Sequence, residues 1–276
     1  MRNKIRTQPV AWALCLVALP LAVEGQPPKP ETAGAFECYV EAAESRMAAR
    51  KSFLLADADA ALNDRLVRGP QVQTIPANGA NPHKIAGGHV WDWIATVFVP
   101  GVNLDRTIRM LQDYDHRWQY FTDTMSSSRL LCRTGDDHFR SAMRMKEPSV
   151  IDVESDVVWE KVDAHRWRCR SYSTSVREVG KEHGYVQRIY TYWRLAEAEK
   201  GVYIEGEGIE LSNEFNSVTR ALGSMMGISA EKSLRHSVES MRAALLKPGL
   251  EFSKPPANAP ECGPPFHPAV CSQPRP

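Results

Sequence analysis

Few residues in this chain have both the type and the spacing that chemistry demands. Eight histidines (83, 89, 116, 138, 165, 183, 236 and 267) include no His-x-His and no HExxH, so spacing gives no argument for a metal site. Asp113, Asp115 and His116 do cluster, and such a trio could bind a cation or move a proton. At a helix end, however, the same side chains serve as hydrogen-bonding caps, and that is the reading we expect. Ser171, Ser173, Thr174 and Ser175 are rich in hydroxyls but lack a GxSxG elbow, and strand-edge hydrogen bonding accounts for them. Neither a Walker loop nor a GxGxxG fingerprint occurs. No catalytic residue, metal ligand or cofactor is assigned from the sequence.

The cysteines carry covalent chemistry. Leaving aside Cys15 in the apolar leader, they are Cys38, Cys132, Cys169, Cys262 and Cys271, an odd number with no CxxC spacing. Cys262 and Cys271 lie nine residues apart in a proline-rich tail, so a loop between them closes at low entropic cost, and we expect that pair. Cys132 and Cys169 would bridge only from neighbouring strands, which leaves Cys38 as the odd thiol.

The segments 185–195 and 202–211 read as a β-hairpin. With a turn over 196–201, Leu195 stands opposite Val202 and Tyr190 opposite Glu207. One face then carries Arg188, Tyr190, Tyr192 and Arg194 with Tyr203, Glu205 and Glu207. The other carries Ile189, Thr191 and Trp193 with Ile204, Gly206 and Gly208. We assign the second face to a cavity, because it is apolar and its glycines admit close approach of another element. The charged face is expected to be a solvated ladder. Turned inward instead, Arg188 or Arg194 would anchor an acidic head group, with Glu205 or Glu207 as counter-charges. A slip of one residue would exchange the two faces.

Around this hairpin the chain divides plainly. Residues 1–25 read as a signal peptide: Arg2, Lys4 and Arg6, an apolar run from Val10 to Val23, then Val23 and Gly25 as small residues before the cut. Residues 26–87 form a linker and a helical extension, with helices expected over 35–55 and 56–66 and a loop over 76–88. A strand at 90–99 and a helix capped by Asn103 follow. Strands are then expected near 126–133, 138–146, 149–160, 166–178, 185–195 and 202–211. The last element is helical and interrupted at Gly227. It carries Met225 before the break and Leu234, Val238 and Met241 on one stripe after it. Nine of the final 29 residues are proline, so 248–276 is expected to be a disordered tail.

The sequence predicts an α+β, helix-grip architecture: a strongly bent antiparallel sheet of about seven strands wrapped on a long C-terminal helix, plus the N-terminal extension. In this order, and in Tyr114-Asp115-His116, Tyr192-Trp193-Arg194 and Val202-Tyr203-Ile204-Glu205, residues 88–247 resemble the START and Bet v 1-like superfamily (SRPBCC proteins, polyketide cyclase and dehydrase types included). The resemblance implies a cavity for a hydrophobic small molecule or lipid between sheet and helix. It implies no shared catalytic set.

The expected ligand-cavity residues are Ile189, Thr191, Trp193, Ile204, Gly206, Gly208, Met225, Leu234, Val238 and Met241. Removing the leader takes three of 34 basic and one of 33 acidic side chains, leaving 31 against 32. That balance disfavours nucleic acid and an electrostatic membrane arm as partners. No stretch after the leader is long and apolar enough to span a bilayer. The expected function is that of an exported, periplasmic or secreted binding protein or carrier. A cyclase- or hydrolase-type enzyme using the same cavity is one alternative, and an envelope interaction module is another.

Overall fold

A computed structural model describes residues 27–271, apart from 70, 80, 147–148, 181–183 and 215–219. Over 215–229 no side chains are described. The leader and the side chain of Met225 lie outside the described residues. Two helices open the chain, α1 (Pro30–Ala49) and α2 (Ala60–Arg68), followed by two short strands, β1 (Gln73–Pro76) and β2 (His83–Ile85). Then come β3 (Gly88–Pro100), α3 (Leu104–Gln112), α4 (Arg117–Tyr120), β4 (Met125–Thr134), β5 (His138–Met145), β6 (Ile151–Lys161), β7 (Arg166–Glu178), β8 (Val186–Ala198), β9 (Gly201–Asn213) and α5 (Arg220–Leu246). The strands form one antiparallel sheet in the order β1-β3-β9-β8-β7-β6-β5-β4, with β2 also paired to β3. The two short strands lie in or beside the stretch expected to be a loop, and they bring the total to nine.

The helix-grip reading holds in its essentials. β-Branched and aromatic residues build β3, whose alternate residues Ala95, Val97 and Val99 join Leu195, Val202 and Ile204 in the main core. Asn103 caps α3, its side chain accepting a hydrogen bond from the Arg106 N–H at 2.9 Å. From the helix side, Leu234, Val238, Met241, Ala244 and Leu245 of α5 close the same core. α5 runs unbroken through Gly227, correcting the expected interruption. A helix tolerates one glycine at a cost of about 1 kcal/mol, which packing against the sheet offsets.

The hairpin register differs from expectation by two residues. Ala198 pairs with Gly201 across a two-residue turn, which places Tyr192 opposite Glu207, Trp193 opposite Gly206 and Leu195 opposite Ile204. Gly201 has a φ of 156°, and a side chain there would run into the Val99 carbonyl. That requirement sets the tight turn. A shift of two leaves every side chain on its expected face.

The charged face is not a solvated ladder. It lies on the convex side of the sheet, under α1 and the segment that follows, and Asp92, Glu205 and Glu207 are buried there. Arg46 reaches both Asp92 (3.1 Å) and Glu207. Arg50 pairs with Glu205 at 2.6 Å, and Arg194 lies 3.5 Å from the same carboxylate. The Leu55 N–H donates to Glu205 at 2.7 Å. Tyr39 donates to Asp92, Tyr190 to Glu37, and Tyr172 and Tyr192 both donate to Glu44. Between these contacts Phe36, Val40 and Ala43 pack on Val90, Ile209 and Leu211. The carboxylates could not remain buried without this cover, because an unpaired buried charge costs several kcal/mol.

As far as Cys271, its last described residue, the tail has neither helix nor strand beyond one isolated bridge, in keeping with its prolines, yet it follows a defined course. Phe252 enters the core edge-on to Tyr120, and the Ser253 N–H donates to Asp113. Pro260 and Cys262 exchange backbone hydrogen bonds with Arg133 on β4. Two disulfides fasten it, Cys132–Cys262 and Cys38–Cys271. The expected Cys262–Cys271 pair is therefore wrong, and so is Cys38 as the odd thiol. Short loops close cheaply, but the tail's packing carries each cysteine past its sequence neighbour to a distant partner. Cys132 and Cys169 stand on strands separated by β5 and β6 and do not pair. Cys169 is the free, buried thiol.

Two outcomes follow from this arrangement. Non-reduced peptide mapping should recover Cys38–Cys271 and Cys132–Cys262, with Cys169 alkylated only after denaturation; alanine at both Cys38 and Cys271 should cost about 2–5 kcal/mol. The second concerns pH. Burial, and then the neighbouring Asp92 charge, push Glu207 from 4.5 to about 7 in spite of Arg46. Between those values the folded chain holds a proton that the unfolded chain has released. The stability this group contributes is thus complete below pH 4.5 and lost as pH rises through 7. In denaturant melts Glu207→Gln should flatten the decline between pH 5 and 8 by about 1–3 kcal/mol; an unchanged slope would show that Glu207 is ionised throughout.

Candidate functional site

The concave face of the sheet, opposite the charges, meets α5. Alternation places Trp93 and Ala95 of β3, Gly206 and Gly208 of β9, and Thr191 and Trp193 of β8 on this side. Where α5 crosses β9 the glycines have distinct uses. The Leu234 methyl groups sit 3.7 and 3.8 Å from where a Cβ on Gly208 would be, so that glycine lets the helix approach. Over Gly206 lies the Trp193 indole, and any side chain there would strike the ring. A leucine at Gly206 would displace Trp193 rather than fill empty space.

Farther along, toward β4, the bent sheet and α5 diverge and leave a cavity of about 130 Å³. Its floor comes from β5–β8, including Met143, Val153, Trp159, Ser171, Ile189, Thr191 and Trp193. Its rim comes from Leu111, Arg117 and Phe121 of the α3–α4 corner with Met125, and its cover from Ser237 and Met241 of α5. Four methionines (125, 143, 145 and 241) line it, side chains that repack readily around guests of different shape.

Of the residues expected at a cavity, Ile189, Thr191, Trp193 and Met241 border it. Ile204, Leu234 and Val238 are packed in the adjoining core, and Gly206 and Gly208 lie beneath Trp193 and Leu234. The expected polar anchors point elsewhere. Arg194, Glu205 and Glu207 belong to the convex network, and Arg188 lies near enough to Glu37 on that side to oppose the upward push of burial on its carboxyl. They line no part of the cavity. The Asp113 cluster acts as a corner brace: Asp113 accepts from Tyr120 and from the Ser253 N–H and lies 2.7 Å from His116 Nδ1, while Asp115 accepts the Leu130 N–H.

Arg117 and the methionines of β4 and β5 were missed. Both strands look amphipathic and ordinary in sequence. Nothing in the 114–121 aromatic run marks its one arginine as the residue that faces inward.

The titratable groups at the cavity wall, among the described residues, are Arg117 and Cys169. Burial raises the Cys169 thiol to about 12, with only partial relief from Arg117 and Arg170, so it is neutral and a poor nucleophile. The serine and threonine hydroxyls at the wall have no histidine or carboxylate among the lining residues to activate them. What the arrangement can do is enclose an apolar group beside a fixed cation.

No family model matches this chain, and no curated protein matches it. Among solved structures it is similar to a STAR-related lipid transfer protein fragment from Xanthomonas axonopodis, at 16% identity and a TM-score of 0.40 over 55% of this chain and 94% of that one. Human STARD10 is similar at 10% identity and 0.41, over 66% and 77%. The Zhui aromatase/cyclase from Streptomyces sp. R1128 is similar at 12% and 0.43, over 56% and 93%. Likeness at this level carries no functional argument, and the helix grip of this chain rests on its own sheet order and on α5.

Proposed function

We propose that this is an exported protein that binds a hydrophobic small molecule between the sheet and α5. The observation that carries the reading is the cavity itself: an apolar hollow walled by β5–β8, the α3–α4 corner and α5. Its size favours a modest guest. Apolar cavities near 150 Å³ admit benzene, whereas drug-sized ligands occupy about 300 Å³ or more. At about 130 Å³ the hollow suits one ring or a short chain, and movement of the methionines would be needed for a longer lipid. Binding rather than catalysis is favoured by the lining, which pairs hydroxyls and a neutral thiol with no general base.

Export is supported by the leader-like residues 1–25 and by two disulfides, which persist in oxidising compartments. No helix among the described residues is long and apolar enough to cross a membrane.

Two experiments test these readings. Ser171→Leu puts three more carbons into the cavity, and should weaken benzene binding, followed by NMR, at least tenfold with little change in melting temperature. A steep fall in melting temperature with benzene binding unaltered would mean that the hollow is packing and not a binding site. N-terminal sequencing of protein from a secreting host should begin at Gln26; an intact Met1 on membrane-bound material would end the export reading.

A further inference from the structure

Arg117 is in an odd position for an arginine. It stands on the short helix α4 and forms part of the cavity wall beside Leu111, Phe121 and Met125. Arg46, Arg50, Arg144 and Arg168 each meet a carboxylate. Arg117 makes no ion pair among the described residues. Its Nη2 donates to the Leu111 carbonyl, and its guanidinium lies over the Tyr114 ring, 4.2 Å from the centroid. Its Nε is shielded from solvent and has no hydrogen-bond partner.

These contacts fix the guanidinium without neutralising it. The carbonyl and the ring face hold it in one place, so little ordering cost remains when an anion arrives. A buried N–H without an acceptor is costly, and Arg117 shares the cavity wall with Leu111, Phe121 and Met125. The missing partner is an acceptor, and the cavity beside it is where an acceptor could enter attached to an apolar body. Guanidinium and carboxylate match in planarity and charge, and such pairs are stronger in an apolar surround than in water.

From this we infer that the cavity selects a small hydrophobic acid, an aromatic or short aliphatic carboxylate, whose carboxylate is held by Arg117 while its ring or chain lies among the methionines. This inference rests on the binding reading above and adds the ligand's chemical class. It also separates two kinds of arginine in the chain. Arg46, Arg50 and Arg194 on the convex face are matched by the protein's own acids, whereas Arg117 is left for a ligand.

The test compares benzoate with benzyl alcohol, which have the same ring and differ in charge, on the intact mature protein by calorimetry. The wild type should bind benzoate at least tenfold more tightly than benzyl alcohol. Arg117→Met keeps an unbranched apolar stem without the charge, and should abolish the preference while leaving benzyl alcohol binding within about twofold. Arg117→Lys keeps the charge and should retain part of the preference, which a purely structural role for Arg117 would not predict. Near-UV circular dichroism confirms that each variant is folded; should Arg117→Met fail to fold, the wild-type preference and its partial retention in Arg117→Lys decide the matter. Equal binding of the two compounds by the wild type, or acid preference persisting in folded Arg117→Met, overturns the inference and leaves the cavity reading standing. Binding of neither compound overturns both.

Discussion

The structure depends on three carboxylates that cannot be left alone. Asp92, Glu205 and Glu207 point from adjacent strands into one buried patch on the convex side of the sheet. Burial of an uncompensated carboxylate costs more than most single packing contacts return, so the sheet by itself would have to expose this surface. The extension meets these charges with Arg46 and Arg50 from its own residues and Arg194 from β8, while tyrosine hydroxyls donate to Glu37 and Glu44 from the sheet side. Residues 30–68 are therefore structural to the sheet. The Cys38–Cys271 disulfide and the strap formed by the tail then hold α1 where those charges need it.

With α1 and the segment after it seated on the convex side, the proposed binding site lies on the concave side. α5 lies against it, packing closely where Gly208 admits Leu234 and leaving the cavity toward β5. The polar anchors that sequence reasoning placed on the hairpin are consumed in holding the extension. Arg117 reaches the cavity from a different element. It is the α3–α4 corner, braced by Asp113 against Tyr120 and the Ser253 N–H, that gives it a firm base.

What was legible in the sequence was whatever has a period. Alternation in 185–211 sorted the hairpin faces correctly even though the turn was misplaced, because an error of two residues preserves the pattern. The destination of the charged face was not legible. A row of arginines, tyrosines and glutamates reads the same whether water or another helix covers it. A clue did exist on the extension, where Glu37 and Glu44, like Tyr39 and Arg46, are seven residues apart and so share a helix face beside Phe36, Val40 and Ala43. Polar side chains recurring along an apolar stripe mark a helix whose partner is itself charged. Disulfide connectivity was illegible for a different reason. Loop entropy ranks near pairs first, while the outcome was decided by tertiary packing of the tail against β4 and α1.

The two faces are also coupled through the strands that separate them. Tyr192 and Glu207 are paired on the convex side, and their neighbours Trp193 and Gly206 are paired on the concave side. A slip of β8 against β9 by one residue would turn Arg194 away from Glu205 and Tyr192 away from Glu44 and put Trp193 on the wrong face at the same time. The convex-side contacts of Arg194 and Tyr192 therefore favour the register on which the cavity wall depends, although neither residue lines the cavity. The protein spends buried charge on one side of its sheet to hold the shape of an apolar site on the other.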